Sequence, residues 1–587
     1  MKSSGRPIRP LEYGVVCAIL LLVGWIAYRS VSSDSITTDE IVHIPAGVSY
    51  LQLHDARMNP EHPPLLKVLA ALPLFVGGFH LDYALPRWSS TTDAVFGEDT
   101  LSETGPVAAR WIAASRVPMI AVMLLLAFTI FWMARQLAGA GGGFFALCIF
   151  ASTPFFYAYG PLVHTDIGIA LFALLSVWTF VSLWQTPDWP HTARFALCLA
   201  GALLSKFTSG LLLPCFVLLG ILLSLLPAAS PRNIRRSLRF SAAGIAIASV
   251  MVYLVYFVLF WDNDTGAVLS YRYAHSIKPI PAMQGVALFF ERHSALQHLL
   301  SPPVIYSLGV GHTLHALPRT SYLLGKSYPH GTAAYFPTLF VYKMPLAYLA
   351  LTLLLFVAAL VCLAFRKRAG SAIAGRPDQL YGLMVLLLVF TCASLASPLN
   401  IGIRHFSVPI AVLTVLLALL VPLARRIPWP AVRKTAFLLL AVAAFGNAAA
   451  LAASYPYFIP YFNPLVGEHP KFDIAIDSNL DWGQGLIAIA KFQKQHPSET
   501  LAFDVQGSVP AVYLPHAAPF DCENGVPAGA EWAAIGSTRF VSQPELQHLD
   551  EPSVPQCRNF FHYPYQVVAG GAVYIFHLPA SEAKRQD

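Results

Sequence analysis

The chain has 587 residues, of which 56% are hydrophobic and only 12% are charged, and its mean hydropathy is +0.57. Soluble domains carry about 25% charged residues, so this composition excludes an ordinary soluble protein and indicates a polytopic membrane protein. The net charge of +7 would suggest nucleic-acid binding in a soluble protein. Here the positions of the basic residues between apolar runs explain the charge, so we expect a lipid bilayer and no nucleic acid as partner.

Eleven apolar runs are long enough, or nearly long enough, to cross a membrane, which takes about 20 mostly apolar residues. No small-residue cleavage site follows the first run, so we interpret it as a retained helix and not as a signal peptide. The run at 193–207 is short and could instead be re-entrant. The runs lie at 11–28, 112–134, 141–158, 163–184, 193–207, 209–228, 240–261, 337–365, 380–397, 403–424 and 432–453.

Basic residues alternate with the apolar runs and thereby indicate the topology. With a cytoplasmic N-terminus, the basic clusters at 231–239, 366–379 and 424–434 all fall on the inner side, as the positive-inside rule requires. Two long loops, 29–111 and 262–336, and the C-terminal segment then face outward. We therefore predict a multi-pass protein of the cell inner (plasma) membrane with a periplasmic or otherwise extracytoplasmic C-terminus.

Composition divides the chain into a membrane domain, 1–453, and a polar C-terminal segment, 454–587. The polar segment contains the strand-like stretches "ETLAFDV" and "GAVYIFHLP" and the helix-like "GLIAIAKFQKQ". These patterns predict a small α/β domain on the outer face. Cys522 and Cys557 lie in this segment and could form a disulfide if it is exported.

Polar residues that are unusual in so apolar a chain gather on the predicted outer side, in the first loop and at outer helix ends. A charge within a bilayer costs about 2.5–3.5 kcal/mol on insertion scales, so Asp166, which begins an apolar run, should face a wet cavity or a partner. The set comprises Asp39, Glu40, His43, Glu61, His62, Lys67, Arg116, Asp166, Lys206, Lys343 and Arg404.

Simpler explanations exist for several of these residues. Asp39 and Glu40 follow two threonines and could serve only a helix N-terminus. Asp166 could complement its helix dipole, and Lys67, in a predicted surface helix, could extend to the headgroups. Acids and histidines of the first loop could hold a divalent cation, but their spacing is not diagnostic. We assign no metal site and no cofactor, and a divalent cation is not favoured.

Several motifs together resemble the membrane-embedded GT-C glycosyltransferases, in particular the polyprenyl- or dolichyl-phosphate-mannose protein mannosyltransferases and the lipid A aminoarabinose transferase. An Asp-Glu pair follows the first helix, an arginine lies in the second and an aspartate begins the fourth. The other motifs are "NPEHPPLLK", "GKSYPHGTAAYFPTLFVYKMP", "NIGIRHFSVP" and "DSNLDWGQGL".

The resemblance implies a GT-C-like fold of about eleven transmembrane helices. It also implies an enzyme that moves a hexosyl or pentosyl group from a polyprenyl-phosphate donor to an acceptor hydroxyl at the outer face, with inversion. A carboxylate would take the acceptor's proton, and cations would hold the phosphate. The implied catalytic residues are Asp39 as base, Asp166 and Glu40; the phosphate ligands are Lys67, Arg116 and Arg404; and the cavity residues are His43, Glu61, His62, Lys206 and Lys343.

Protein mannosyltransferases of this family carry a β-trefoil insertion in the second long loop, which this sequence lacks. The acceptor, whether lipid, glycan or protein, is therefore left open. Two other function classes are alternatives: a secondary transporter, and a non-catalytic protein of envelope assembly. A transporter would be expected to show internal repeats and charges at mid-membrane, whereas these charges gather at one surface.

Overall fold

Helices dominate the structure, and strands form one short hairpin and one sheet near the C-terminus. The predicted fold class, a helical membrane protein with a small C-terminal α/β region, is confirmed. Residues 231–232 of the predicted basic loop 231–239 and residues 366–375 of the loop 366–379 lie outside the described residues. The computed structural model describes residues 10–84, Trp88, 92–225, 233–261, 263–274, 282–293, 296–314, 319–364, 376–505, Gly507, 509–514, 517–522, 525–541 and 556–579.

The first half of the chain contains the long first loop and most of the apolar helices. Three helices of the first loop, at 38–52, 65–76 and 93–104, precede the long helix at 108–152. The helices are α1 (Pro10–Val31), α2 (Thr38–Gln52), α3 (Leu65–Val76), α4 (Asp93–Thr104), α5 (Ala108–Ser152), α6 (Pro154–Tyr159), α7 (Asp166–Gln185), α8 (Trp189–Ser205), α9 (Leu212–Leu225) and α10 (Ile234–Leu259).

The second half begins with the second long loop and ends with the sheet. Its helices are α11 (Thr265–Ala274), α12 (Ala282–Arg292), α13 (Gln297–Leu314), α14 (Tyr335–Lys343), α15 (Leu346–Ala364), α16 (Pro377–Ala396), α17 (Ser407–Leu417), α18 (Leu420–Arg425), α19 (Pro430–Ser454), α20 (Lys471–Ile474), α21 (Leu486–Gln495) and α22 (Pro510–Tyr513); its strands are β1 (Ser321–Leu323), β2 (Lys326–Tyr328), β3 (Leu501–Asp504), β4 (Ala518–Pro519), β5 (Trp532–Gly536), β6 (Tyr565–Val568) and β7 (Val573–His577).

Helix α5 is a hairpin of two antiparallel helical segments that turns at Gly139. This glycine has φ 74° and ψ 179°, a conformation that favours glycine. The rings of Phe131 and Phe144 lie 5.3 Å apart, whereas 13 residues of straight helix would separate them by about 20 Å. The two apolar runs predicted at 112–134 and 141–158 are thus distinct segments that pack against each other.

Eight helices in the described part of the chain are long and apolar enough to cross a membrane, or nine if the bent pair Tyr335–Lys343 and Leu346–Val361 is one span. Each of the eleven predicted runs contains helix. The counts differ because the hairpin at Gly139 is counted once and because α8 has only 17 residues. The two helices of the bent pair meet at 119°, with the bend at Met344 and Pro345. The bend lies inside the apolar run 337–365, which the sequence predicted to be continuous.

The C-terminal region forms a mixed five-stranded sheet in the order β4-β3-β5-β7-β6. Strand β3 pairs in parallel with β4 and β5, and β7 pairs antiparallel with β5 and β6. Leu486, Ile489 and Phe492, on one face of α21, pack against Phe503 and Ile575 of the sheet. Both predicted strands and the predicted helix are confirmed.

The segment between α19 and the sheet runs back through the outer end of the helical bundle. Ser35 N–H donates to the Gln484 carbonyl at 3.0 Å, and Thr38 N–H donates to the Trp482 carbonyl at 3.0 Å. Ile403 N–H donates to Asn479 Oδ1 at 2.9 Å. Residues 479–484 thus close over the helix ends that carry the candidate site. The domain boundary drawn at 454 stays a prediction.

Candidate active site

Three charged side chains, two acids joined by one arginine, form the centre of the site. Arg404 Nη1 lies 2.6 Å from Asp39 Oδ2 and 3.4 Å from Asp166 Oδ2. Arg404 follows α16, Asp39 is in α2 and Asp166 begins α7. The side chain of Asp39 is 25% exposed and that of Asp166 is 1% exposed. Asp39 is therefore the carboxylate of this group that a substrate can reach.

Asp166 is held by groups from three other parts of the chain. Its Oδ1 accepts a hydrogen bond from Lys206 Nζ at 2.5 Å, and its Oδ2 lies 3.2 Å from His164 Nδ1. Ser407 Oγ donates to its backbone carbonyl at 2.9 Å. The expectation that this intramembrane acid has a partner is confirmed, and Lys206 and Arg404 are the partners.

Two neutral histidines line the same side of α2 as Asp39. His43 Nδ1–H donates to the Val163 carbonyl at 3.0 Å, which fixes the proton on that nitrogen because a carbonyl only accepts. The His43 and His62 rings meet edge to face, 5.3 Å apart. Burial lowers the pKa of His43 to about 4 although Asp39 opposes this effect, and burial also lowers the pKa of His62.

Asp39 is ionised in this environment. Burial by itself would raise its pKa, but the facing Arg404 guanidinium holds the pKa well below its usual range. Its carboxylate has one strong partner and retains exposure. Asp39 can therefore accept a hydrogen bond, or a proton, from a group that enters the site.

Glu40, next to Asp39, belongs to a different, structural group. Its side chain closes a capping box with Thr37 and accepts two hydrogen bonds from Arg116, at 2.9 and 2.6 Å. Arg116 donates its other hydrogen bonds to the carbonyls of Val31, Asp34 and Ser35. All five donor sites of this guanidinium are thus used by the protein. The roles predicted for Arg116 in phosphate binding and for Glu40 in catalysis are not supported by this geometry.

Lys67 is also fully engaged and fully buried. Its Nζ donates to Tyr50 Oη at 2.7 Å, to the Asn59 carbonyl at 2.6 Å and to the His62 carbonyl at 2.8 Å. An ammonium group has three hydrogens, so none remains for a phosphate. The position predicted for Lys67 beside the headgroups is wrong, because the proline-rich turn before α3 folds back over it.

Two of the predicted cavity residues have structural partners instead. Lys343 Nζ donates to the carbonyls of Ile459 and Asn479, both at 2.6 Å. Glu61 accepts a hydrogen bond from Arg272 at 3.1 Å. The structure therefore brings Asp39, Asp166, Arg404, Lys206, His43 and His62 together, and uses Lys67, Arg116, Glu40, Lys343 and Glu61 to hold the surrounding elements.

Sequence reasoning missed the contribution of "DSNLDWGQGL" to this site. The Arg404 guanidinium lies over the Trp482 ring, 4.3 Å from its centroid, and Arg404 Nε donates to Ser478 Oγ at 3.3 Å. The motif was noted as a point of resemblance, but it lies in the polar segment, far along the chain from the other residues. The sequence feature that could have identified its place in the site is the cluster of small polar residues close to a tryptophan.

A cavity of about 1000 Å³ lies between α15 and α19 and reaches Lys471 and three tyrosines at its outer end. None of the predicted site residues lines it. Its walls are mainly leucine and alanine side chains. This cavity is separate from the charged cluster.

Within the described residues, one group of acid and sulfur atoms has the spacing of a metal site, namely Asp504, Cys522 and Cys557. The two cysteines are joined in a disulfide, so their sulfurs are not available as thiolate ligands. The bond also settles the pairing that the sequence left open.

Residues 109–257 match the family model described as dolichyl-phosphate-mannose-protein mannosyltransferase. The resemblance inferred from the sequence is confirmed. The matched segment contains Arg116, Asp166 and Lys206 and extends from α5 to α10. No curated protein sequence matches the chain.

Several solved structures also resemble the chain. ArnT from Cupriavidus metallidurans bound to undecaprenyl phosphate matches with a TM-score of 0.45 and 14% identity, over 98% of this chain and 99% of that one. AglB from Archaeoglobus fulgidus matches with a TM-score of 0.46 and 11% identity, over 95% and 73%. The Pmt1-Pmt2 complex of S. cerevisiae matches with a TM-score of 0.34 and 16% identity, over 47% and 38%.

Proposed function

We propose that the protein is an inverting glycosyltransferase of the membrane, which moves a sugar from a polyprenyl phosphate to an acceptor hydroxyl on the outer face. One observation carries the proposal: a partly exposed carboxylate, Asp39, shares Arg404 with the buried Asp166, which also binds Lys206. A base beside cations is what transfer from a phosphate ester requires. The family match supports the same class of reaction.

In the proposed reaction Asp39 takes the proton of the acceptor hydroxyl. The acceptor oxygen forms a bond to the anomeric carbon as the bond from that carbon to the phosphate oxygen breaks. The electron pair of the broken bond leaves with the polyprenyl phosphate. Since the new bond forms on the face opposite the leaving group, the anomeric configuration inverts.

Arg404 and Lys206, both in the charged cluster, have donors left for a phosphate. Arg404 uses Nε and Nη1 in the protein, and among the described residues no acceptor meets the two hydrogens on Nη2. Lys206 donates one hydrogen, to Asp166, and its side chain is 11% exposed. These two groups take the role that the sequence analysis gave to Lys67 and Arg116. Charge that develops on the leaving phosphate would meet both.

The order of the helices supports the outer-face location. Asp39 comes after α1, Asp166 begins α7, Lys206 comes after α8 and Arg404 after α16, and contact between them requires that these helix ends lie on one side. Since the positive-inside rule puts the basic loops in the cytoplasm, we propose that this side is extracytoplasmic. We propose an inner-membrane protein with its N-terminus in the cytoplasm. A C-terminal reporter that is active only in the cytoplasm would contradict this orientation.

The reaction is tested with membranes that contain the overproduced protein and a panel of labelled polyprenyl-phosphate sugars, both hexoses and pentoses. We expect label to move from one donor to a lipid, glycan or protein fraction, and we expect no movement with Asp39→Asn. Asp82→Asn is the matched control, since Asp82 is an exposed acid of the same loop. Donors that remain intact across the whole panel would favour a transporter or an assembly protein instead.

A further inference from the structure

Asp477 occupies a backbone conformation that is uncommon for a residue with a side chain. Its φ is +60°, in the left-handed region, which aspartate and asparagine tolerate better than most residues. Such conformations cost about 1–3 kcal/mol and persist where the surroundings determine them. Asp477 starts the short 3-10 turn Asp477–Asn479. It is also the first residue of the motif "DSNLDWGQGL".

The two residues after Asp477 fix its position with respect to the site. Ser478 Oγ donates to the Ile401 carbonyl at 2.8 Å and accepts from Arg404 Nε. Asn479 accepts from Ile403 N–H at 2.9 Å and donates to Tyr335 Oη at 2.9 Å. The turn is therefore attached to the backbone on both sides of Gly402, and so to Arg404 itself.

The carboxylate of Asp477 retains an oxygen without a partner among the described residues. Its Oδ1 accepts from the N–H of Ser478, and the residue is half-buried, not sealed from solvent. Its charge acts on Arg404 and Asp39. Burial raises the pKa of Asp477, against the influence of Arg404. An open carboxylate oxygen thus lies at the same cluster as the proposed base.

We propose that Asp477 is a substrate-binding residue, which accepts a hydrogen bond from a hydroxyl of the acceptor and orients it beside Asp39. The ligand class is a neutral hydroxyl-bearing acceptor. A second carboxylate would repel the donor phosphate, so Asp477 serves the acceptor side of the site. This inference rests on the proposed function and deepens it: the C-terminal segment supplies part of the acceptor subsite.

Asparagine and glycine both tolerate positive φ, so replacing Asp477 by either residue should preserve the backbone of the turn. Asp477→Asn can still accept from Ser478 N–H but presents an amide N–H₂ to the acceptor. Asp477→Gly keeps the turn and removes the side chain. The matched control is Asp473→Asn, since Asp473 is a partly exposed acid of the same segment, paired with Arg558 at 3.0 Å.

The assay uses the full chain in membranes, the labelled donor that the wild type accepts, and a titrated extract of native membranes as source of acceptor. We expect both Asp477 variants to need about 10- to 100-fold more extract for half-maximal transfer. This factor corresponds to the loss of one hydrogen bond between the acceptor and a charged group. Inhibition by undecaprenyl phosphate, which probes the donor side, should be unchanged. Asp473→Asn should match the wild type in both measurements.

Three results would overturn the inference. The first is wild-type transfer by Asp477→Asn at every amount of extract. The second is a changed inhibition by undecaprenyl phosphate with an unchanged need for extract, which would assign Asp477 to the donor. The third is loss of folded protein in both variants while Asp473→Asn folds normally, which would make the residue structural. Failure of the wild type to use any donor would instead overturn the proposed function.

Discussion

Arg404 donates to Asp39 across 2.6 Å, although 365 residues separate them in the chain. The same guanidinium reaches Asp166, so one cation joins the accessible acid to the buried one. Among the described residues its Nη2 group meets no acceptor, and we propose that this group binds the donor phosphate. When a phosphate binds there, Arg404 will share its charge between phosphate and Asp39. We therefore expect donor binding to make Asp39 a stronger base at the moment when the acceptor must lose its proton.

Asp39→Asn tests the proposed base directly. An amide cannot accept the hydroxyl proton, and loss of general-base assistance costs typically about 10²–10⁴-fold in rate. We expect that loss in the transfer rate per folded enzyme at saturating donor, with normal abundance, because asparagine still suits the first turn of α2. Transfer at the wild-type rate would move the role to Asp166 or end the proposed mechanism.

Glu40→Gln and Arg116→Met test the structural assignment of that pair. Breaking a buried ion pair leaves an uncompensated charge and costs about 3–5 kcal/mol. We expect lower thermal midpoints in detergent with little change in activity per folded enzyme. Asp188→Asn, at a partly exposed pair with His191, is the control and should leave the thermal midpoint nearly unchanged. An Arg116→Met enzyme that is stable but binds undecaprenyl phosphate poorly would restore the phosphate role.

Lys206→Met and Lys67→Met separate a phosphate cation from a structural one. Loss of one charged hydrogen bond at Lys206 should weaken inhibition by undecaprenyl phosphate by about 10- to 100-fold, and Lys206→Arg should recover most of it. Lys67→Met should reduce thermal stability without that change, because its three hydrogens are used by the protein. The reverse pattern would contradict the assignment of both lysines.

His43 gives a prediction for stability against pH. Its pKa falls from 6.5 to about 4 on burial, so below pH 6.5 the unfolded state binds a proton that the folded state does not. Stability is therefore lost as pH falls from about 6.5 to about 4, by about 3 kcal/mol from this group. His43→Asn should show a shallower loss in thermal unfolding over this range, and the exposed His293→Asn should follow the wild type. The same dependence of the thermal midpoint on pH in all three proteins would refute this prediction.

The Cys522–Cys557 disulfide should stabilise the C-terminal region. A cross-link that closes a loop of this length contributes about 2–4 kcal/mol. We expect Cys522→Ser/Cys557→Ser to lower the thermal midpoint of this region, while Cys17→Ser, at an exposed free cysteine of α1, leaves it unchanged. Labelling of both cysteines by a thiol reagent in the native, unreduced protein would show that the bond is absent.

Local patterns in the sequence predicted much of the fold. Apolar runs gave the helices, since about 20 apolar residues are needed to cross a bilayer. Alternating patterns gave β3 and β7, and the amphipathic pattern gave α21. The separate runs 112–134 and 141–158 predicted the break at Gly139. The bend at Met344 was not predicted, because a break inside an apolar run changes neither composition nor length.

The sequence by itself determined which residues were unusual, since charged and histidine side chains in so apolar a chain need a reason to be there. Through the resemblance, it also predicted that Asp39, Asp166 and Arg404 belong to one site. Only the tertiary structure decided what each cation does. Lys67 and Arg116 look like ligands in sequence, yet their donors end on backbone carbonyls and on Glu40. A cation can bind a phosphate only through N–H groups that do not already donate to acceptors of the protein. Contacts between segments far apart in the chain determine how many such groups remain.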